Sequence, residues 1–262
     1  MVNSCNNNIL EKKLRENVER FVNETLVKHC PAATLFNKIK QNGWACFLCG
    51  GAVRDLLLKK RTGFPCDVDL IVHYIDKEQL LGVLREYHHK ENKFGGYSVQ
   101  IQDWKIDMWT LSSTWAFQNK LVQYNSRFSD YTKTPFLNIE AIAVEMFAKK
   151  GKKRAVYSNG FFESIKNQTL EINLEENPDP EVNISRAIFM SFHYGFSLGP
   201  HLRNYITTHA RQLNKDRLLA IYKEKYLLSD SSIGRLNTVF EEIERGTYTS
   251  RLRRLDTQNC LF

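Results

Sequence analysis

The sequence predicts an α+β protein in which helices flank a β-sheet. In the stretch Phe47–Val72, an apolar run, a glycine pair, a helical segment and a second apolar run follow one another. The two runs Tyr97–Gln102 and Trp104–Leu111 are typical of a hairpin. Helical spacing also appears near the start of the chain, at Ile9–His29. These three observations place strands in the middle of the chain and helices around them.

Composition bounds the class of protein. The chain has 262 residues with 42% hydrophobic content, enough for one large domain or two small ones. A net charge of +8 and an isoelectric point near 9.1 favour a polyanionic partner such as RNA. The six cysteines form no paired framework, and no signal peptide or bilayer-spanning run of roughly 20 apolar residues is recognisable. We therefore expect a cytoplasmic protein with reduced thiols and no membrane partner.

The glycine pair and the strand after it carry the chemistry. Gly50 and Gly51 let the backbone approach a ligand closely, and the helix that starts beside them offers free amide groups to phosphate. On the strand DVDLIV, side chains alternate between faces, so Asp67 and Asp69 project to the same side. Two neighbouring carboxylates repel each other unless a cation lies between them, and magnesium is the simplest such cation. The alternative is a buried strand with a surface acidic pair.

The segments GGAVRDLLL and DVDLIV, in this order and at this spacing, resemble the catalytic motif of the DNA polymerase β superfamily of nucleotidyltransferases. The likeness is greatest to the head of class II tRNA nucleotidyltransferases (CCA-adding enzymes) and bacterial poly(A) polymerases. It implies a nucleotidyltransferase head with a mixed sheet flanked by helices, followed by an α-helical neck. We assign residues 1–43 to a helical extension packed on the head, 44–175 to the head, and 176–262 to the neck with a basic tail.

The resemblance also implies the site residues. Asp67 and Asp69 would hold two magnesium ions, which manganese could replace. The family's third carboxylate lies between hydrophobic residues on a neighbouring strand, and Asp107 has this setting between Ile106 and Met108. An acid at a strand end that faces water is the alternative for Asp107. The nucleotide-binding set, which includes residues of the neck, would be Gly50, Gly51, Arg54, Asp55, Lys133, Asp179 and Arg186.

Several local elements follow from the pattern. Asp76 is expected to cap a helix that runs to His89. Residues 112–135 are polar and aromatic without periodicity, a length of irregular chain that is usually functional. In the family a mobile loop lies here and is followed by an arginine-arginine-aspartate triplet that holds the nucleotide. In this sequence Lys133, Thr134 and Pro135 occupy the triplet's place. After it, the turn KKGKK predicts a further hairpin, then a short helix and a strand.

The neck resembles the family in its helices but not in its base-reading positions. The run from Arg186 to Phe196 matches the first neck helix, and NKDRLLAIYKEKYLLSD matches the next one. The positions that pair with the incoming base read Asp179, Pro180 and Asn183. Proline cannot accept such hydrogen bonds, and asparagine lacks the guanidinium fork of arginine. A different register would use Glu181 and Arg186.

The expected reaction transfers a nucleoside monophosphate from a nucleoside triphosphate, ATP or CTP, to an acceptor hydroxyl. An RNA 3′ end, with tRNA included, is the first acceptor that we expect. Because the base-reading positions differ and the sequence lacks the family's body and tail, we expect an enzyme that is not a housekeeping CCA-adding enzyme. Modification of a protein or small molecule is the alternative, and a catalytically silent nucleotide- or RNA-binding module is the third. Candidate phosphate contacts are Lys149, Lys150, Lys152, Lys153 and Arg251–Arg254.

Overall fold

The computed structural model describes residues 2–27, 30–58, 67–210, 215–226 and 230–247. The chain divides into two compact units. The first comprises Met1–Pro135 with Ile139–Phe162, and the second comprises Phe136–Asn138 with Glu163–Phe262. Within the described residues, no helix combines the length and the apolar character that a bilayer crossing requires.

The first unit is built on a seven-stranded sheet with the order β3-β4-β5-β2-β1-β6-β7. Strands β2 and β5 run parallel, and the other neighbouring pairs are antiparallel. The sheet is therefore mixed, as predicted, and the two expected hairpins are present as β4–β5 and β6–β7. The strands are β1 Ala45–Cys49, β2 Asp67–His73, β3 His89–Glu91, β4 Tyr97–Ile101, β5 Trp104–Thr110, β6 Ile142–Glu145 and β7 Val156–Ser158.

Helices cover one face of this sheet. Alternation places Val68 and Leu70 of β2 on the same face as Trp104 of β5, and all three side chains are buried. Phe21 and Phe36, from the first two helices, contact the Trp104 ring with centroid distances of 6.2 and 5.9 Å. The helices of this unit are α1 Val2–Val27, α2 Ala33–Gln41, α3 Gly50–Leu58, α4 Lys77–Leu84 and, on the opposite face, α5 Trp115–Gln118.

The opposite face of the sheet is covered by the irregular segment 112–135. This segment folds into the short helix α5 and a 3-10 helix over Phe128–Lys133. Phe128 stacks on Phe47 of β1 with a centroid distance of 3.7 Å, and both pack in a cluster with Ile71 and Phe117. Its aromatic residues thus give the segment a packing role that the sequence pattern did not indicate.

Helix α4 is shorter than predicted. Asp76 caps it as expected, because its carboxylate accepts the backbone N–H of Gln79 while the Gln79 side chain accepts the N–H of Asp76. The helix ends at Leu84, however, and His89 begins β3 instead of closing the helix. His89 pairs with Val99 of β4, so the sheet satisfies backbone groups that a longer helix would have used.

The second unit is mainly helical. The predicted neck helix at Arg186–Phe196 lies in α7, which begins at Pro180, a residue suited to a first helical position because it has no N–H to satisfy. The next predicted helix is confirmed as α9, whereas α8 and α10 were not indicated by the sequence pattern. The elements from residue 161 onward are α6 Phe161–Asn167, β8 Thr169–Leu170, α7 Pro180–Tyr194, β9 Ser197–Leu198, α8 Pro200–Ala210, α9 Lys215–Tyr226 and α10 Asp230–Glu244.

Candidate active site

Strand register brings the three predicted carboxylates to one face of the sheet. Asp69 of β2 lies directly opposite Asp107 of β5, and Asp67 lies opposite Lys105. Adjacent strands are separated by about 4.8 Å, so the Asp69 and Asp107 side chains leave neighbouring points of the same face. Asp67 is exposed, whereas Asp69 is partly buried. Asp107 thus lies on the strand next to Asp67 and Asp69, the position that the resemblance implies for the third carboxylate, and its role as a ligand stays a prediction.

Lys105 lies among these carboxylates. Its Nζ is 3.1 Å from Asp107 Oδ2 and 3.5 Å from Asp67 Oδ1. Partial burial lowers the lysine pKa, but the negative charges of Asp67, Asp107 and Asp69, with the hydrogen bond to Asp107, outweigh it and raise the pKa above its ordinary value. The other oxygen of Asp107, Oδ1, accepts a hydrogen bond from Ser98 Oγ. Neither Lys105 nor Ser98 was predicted from the sequence, although Lys105 stands two positions before Asp107 and therefore shares its face.

The glycine turn lies close to Asp69. Gly50 has a φ of 58°, which glycine adopts without strain, and a Cβ at this position would lie 3.2 Å from Asp69 Oδ2. A Cβ at Gly51 would lie 3.3 Å from Arg54 Nη2. Helix α3 begins at this turn. The start of α3 and the carboxylate of Asp69 are therefore held together without an intervening side chain.

Arg54 forms a buried charge network beneath the turn. Its Nε donates to Asp55 Oδ1 at 2.9 Å, and its Nη1 donates to Glu140 Oε1 at 3.2 Å. The side chains of Arg54 and Glu140 are 10% and 7% exposed, so the pair is largely removed from solvent. Glu140 was not singled out in the sequence, although an acid between Ile139 and Ala141 is the same signal that identified Asp107.

The part of the chain that carries these residues matches a known family model. Residues 46–170 match the family model described as the Poly A polymerase head domain. This segment therefore resembles a poly(A) polymerase head. The match includes the glycine turn, Asp67, Asp69 and Asp107, and it supports the predicted enzyme class, a nucleotidyltransferase. A sequence search among curated proteins finds no match.

Solved structures share the fold over most of the chain. A tRNA-processing enzyme with CTP has a TM-score of 0.57 and 18% identity, and the match covers 80% of this chain and 56% of that one. A tRNA nucleotidyltransferase complexed with a primer tRNA and an incoming ATP analog has a TM-score of 0.57 and 18% identity, covering 80% and 61%. The chain thus spans less than two thirds of the length of these proteins. At this identity, the likeness establishes the fold.

Lys133 lies in the head on the 3-10 helix that covers the carboxylate-bearing face. Its Nζ is 3.1 Å from Oδ1 of Asp130, a buried acid whose other oxygen accepts the backbone N–H of Asn125 at 3.2 Å. Burial tends to raise the pKa of Asp130, but the hydrogen bonds from Lys133 and Asn125 prevail and lower it. Next to it, burial and the neighbouring Cys49 and Asp69 raise the pKa of Tyr131 well above its ordinary value. A direct contact of Lys133 with a nucleotide stays a prediction.

The predicted base-reading residues lie in the second unit. Asp179 precedes α7 with a φ of 59°, and Asn183 donates its side-chain amide to the carbonyl of Pro178 at 3.0 Å. Glu181 lies 3.7 Å from Arg217 of α9, and Arg186 lies within α7. Asn183 is thus engaged at the start of its own helix. A role for Asp179 and Arg186 in nucleotide binding stays a prediction.

Exposed lysines form the turn between β6 and β7 of the head. This lysine turn displays four ammonium groups within five residues, a density of charge that suits a polyanion. Its members are Lys149, Lys150, Lys152 and Lys153. The other predicted basic group, Arg251–Arg254, lies outside the described residues.

The donor set suits a hard divalent cation, although its side chains now bind a lysine. Among the described residues, no three His, Cys, Asp or Glu side chains are arranged closely enough to hold a metal ion as they stand. Asp67 and Asp107 instead share the ammonium group of Lys105. Carboxylate oxygens that already share one cation are the ligands that Mg²⁺ and Mn²⁺ prefer. Asp67, Asp69 and Asp107 therefore fit the predicted metal chemically.

Proposed function

We propose that this protein is a metal-dependent nucleotidyltransferase that moves a nucleoside monophosphate from ATP or CTP to the 3′ hydroxyl of an RNA. The observation that carries the proposal is the register that sets Asp69 opposite Asp107, with Asp67 on the same face and the Gly50 turn against Asp69. Three carboxylates beside a glycine turn and a helix start are suited to bind a cation-bound triphosphate, which supports the proposal. The comparison structures bound to CTP, and to an ATP analog with primer tRNA, support the substrate class.

In this mechanism Asp67 and Asp69 would hold two Mg²⁺ ions, and Asp107 would complete the site. The bound ions would supply Lewis-acid activation of the acceptor hydroxyl and neutralise charge on the triphosphate. The acceptor oxygen forms a bond to the α-phosphorus, the bond from that phosphorus to the bridging oxygen breaks, and pyrophosphate leaves. Asp107 would assist the loss of the hydroxyl proton. Gly50 and Gly51 would bring the amides at the start of α3 to the phosphates.

Arg54 and Asp55 support the turn in this scheme. Because Arg54 binds Glu140 and Asp55, its guanidinium fixes the first turn of α3 under the glycine pair. Arg54 thereby connects the family motif to Glu140, which lies 86 positions away in the chain. We therefore assign Arg54 a positioning role. Its positive charge would act on the phosphates electrostatically, without direct contact.

The experiment that tests the reaction measures transfer of α-labelled ATP and CTP to an RNA oligonucleotide with Mg²⁺. Asp67→Asn, Asp69→Asn and Asp107→Asn each remove a ligand charge at constant size, so we expect a loss of at least about 100-fold, equivalent to about 3 kcal/mol of transition-state stabilisation. Asp103→Asn is the matched control, since Asp103 is an exposed acid in the turn between β4 and β5. Near-full activity of any of the three variants would refute its assignment as a metal ligand.

The positive charge of the protein favours RNA as the acceptor. The net charge of +8 and the lysine turn predict RNA affinity that weakens steeply with salt. Replacing the four lysines of the turn by glutamine should lower the slope of log affinity against log salt by about 0.7 for each phosphate that the turn no longer binds. Affinity that is absent, or that does not change with salt, would contradict an RNA acceptor.

We further propose that the enzyme is not a housekeeping CCA-adding enzyme. Pro180 stands at a base-reading position, and the Asn183 amide already binds the Pro178 carbonyl. Losing a bidentate arginine contact to a base edge removes about 1 to 3 kcal/mol of discrimination, so clean switching from C to A is not expected. The test offers tRNA that ends before CCA with CTP and ATP, alone and mixed. Addition of CCA followed by a stop would overturn this proposal.

The same observations favour a second candidate, transfer to a protein or small molecule in the cytoplasm. The two classes of acceptor separate in one experiment, in which the enzyme, labelled nucleotide and cell lysate are incubated together. Label that is removed by nuclease identifies RNA, and label that is removed by protease identifies a protein. The third candidate, a silent binding module, predicts no transfer to any acceptor.

A further inference from the structure

Lys105 has a position that the proposed reaction does not use. Its ammonium group lies 3.1 Å from Asp107 Oδ2 and 3.5 Å from Asp67 Oδ1, so one lysine is paired with two of the three proposed metal ligands. The pairing follows from the fold, because Lys105 stands opposite Asp67 in the parallel β2–β5 register and two residues before Asp107 on the same strand. A lysine at this position of β5 therefore starts from a point beside both carboxylates.

The ammonium group of Lys105 reduces electrostatic repulsion among the carboxylates when no metal is bound. The carboxylates on the adjacent strands β2 and β5 repel each other. The strands cannot shift to separate them, because the side chains on the buried face of the sheet fix the register. The ammonium of Lys105 neutralises part of this repulsion. Lysine is suited to the task, since it is a compact single charge on a flexible stem.

We propose that Lys105 is an internal counter-ion that occupies the cation position between Asp67 and Asp107 until a divalent metal displaces it. This inference rests on the proposed metal-dependent transfer and adds a residue that sets the metal affinity. The lysine competes with the metal for the same oxygens. Metal binding therefore includes the breaking of two ion pairs.

The surroundings make this exchange feasible. The Lys105 side chain is 52% exposed, so its head group can move into water, whereas the Asp107 side chain is only 15% exposed. Asp107 remains oriented when the lysine leaves, because Ser98 Oγ donates to its other oxygen. A mobile cation beside a fixed carboxylate is the combination that displacement requires.

The test measures Mn²⁺ binding to the nucleotide-free protein by the electron paramagnetic resonance signal of free Mn²⁺. Lys105→Met removes the competing charge and keeps a stem of similar length, so we expect Mn²⁺ to bind about fivefold more tightly, the factor that a solvent-exposed ion pair typically contributes. Lys105→Arg keeps the charge and should bind Mn²⁺ as the wild type does. Lys40→Met, an exposed lysine of α2, removes the same net charge elsewhere and should leave the affinity unchanged.

A second measurement, the unfolding temperature, tests the repulsion between the carboxylates. Without metal, Lys105→Met should unfold at a lower temperature than Lys40→Met, and added Mg²⁺ should raise its unfolding temperature more than that of the wild type. Equal or weaker Mn²⁺ affinity in Lys105→Met than in the wild type overturns the counter-ion role while leaving the metal site intact. Absence of Mn²⁺ binding in both proteins overturns the metal site, and with it the proposed reaction.

Discussion

Replacing Gly50 by alanine tests how closely the turn must approach Asp69. Two effects are expected. The φ of 58° costs a residue with a Cβ about 1 to 2 kcal/mol, and the new Cβ would lie 3.2 Å from Asp69 Oδ2. That separation is tighter than an ordinary contact, so the carboxylate must shift by a few tenths of an ångström. Because misplacement by about 1 Å can cost about 100-fold in rate, a shift of this size should slow transfer about tenfold.

Two other glycines separate the backbone effect from the contact. Gly43 has a φ of 69°, but no atom lies within 4 Å of its added Cβ. Gly43→Ala should therefore lose about the same stability as Gly50→Ala and keep its activity. Gly82 lies in α4 with open space around it, so Gly82→Ala should gain about 0.5 to 1 kcal/mol.

The assay combines urea unfolding with initial rates of labelled nucleotide transfer. Stability should fall in both Gly43→Ala and Gly50→Ala, while the rate should fall in Gly50→Ala alone. If Gly50→Ala transferred nucleotide as fast as Gly43→Ala, the close approach of the turn to Asp69 would have no catalytic consequence, and the reasoning from the 3.2 Å contact would be refuted.

Two further predictions concern stability in the head. Glu140→Gln should lower the free energy of unfolding by about 3 kcal/mol, because it breaks a largely buried ion pair with Arg54. The double change Arg54→Met with Glu140→Leu should recover much of this lost stability, because it removes both charges. An unfolding midpoint of Glu140→Gln equal to that of the wild type would contradict this prediction. Asp130 has a pKa held below its ordinary value of 3.8, so its contribution to stability is present above that pH and is lost as the pH falls through the folded-state value. Urea unfolding at pH 5 and pH 3 should show a smaller acid loss for Asp130→Asn than for the wild type or Asp103→Asn, and equal losses would count against the hydrogen bonds from Lys133.

The sequence by itself indicated the parts of the site that depend on local geometry. Alternation on a strand places Asp67 and Asp69 on one face, whatever the strand pairs with. A glycine pair between a strand and a helix identifies the turn, and the apolar neighbours of Asp107 identify an acid that requires a partner. These features depend on residues within a few positions of one another. The resemblance to the head domain then followed from their order and spacing.

Only the tertiary structure decided which residues face each other. The parallel pairing of β2 with β5 sets Asp107 opposite Asp69 and Lys105 opposite Asp67, and a shift of one residue would have separated them. In the same way Glu140 reaches Arg54, and Phe128 reaches Phe47 to hold segment 112–135 on the carboxylate face. Such contacts join distant parts of the chain. Register and packing fix them through burial of the opposite face, which no local pattern in the sequence records.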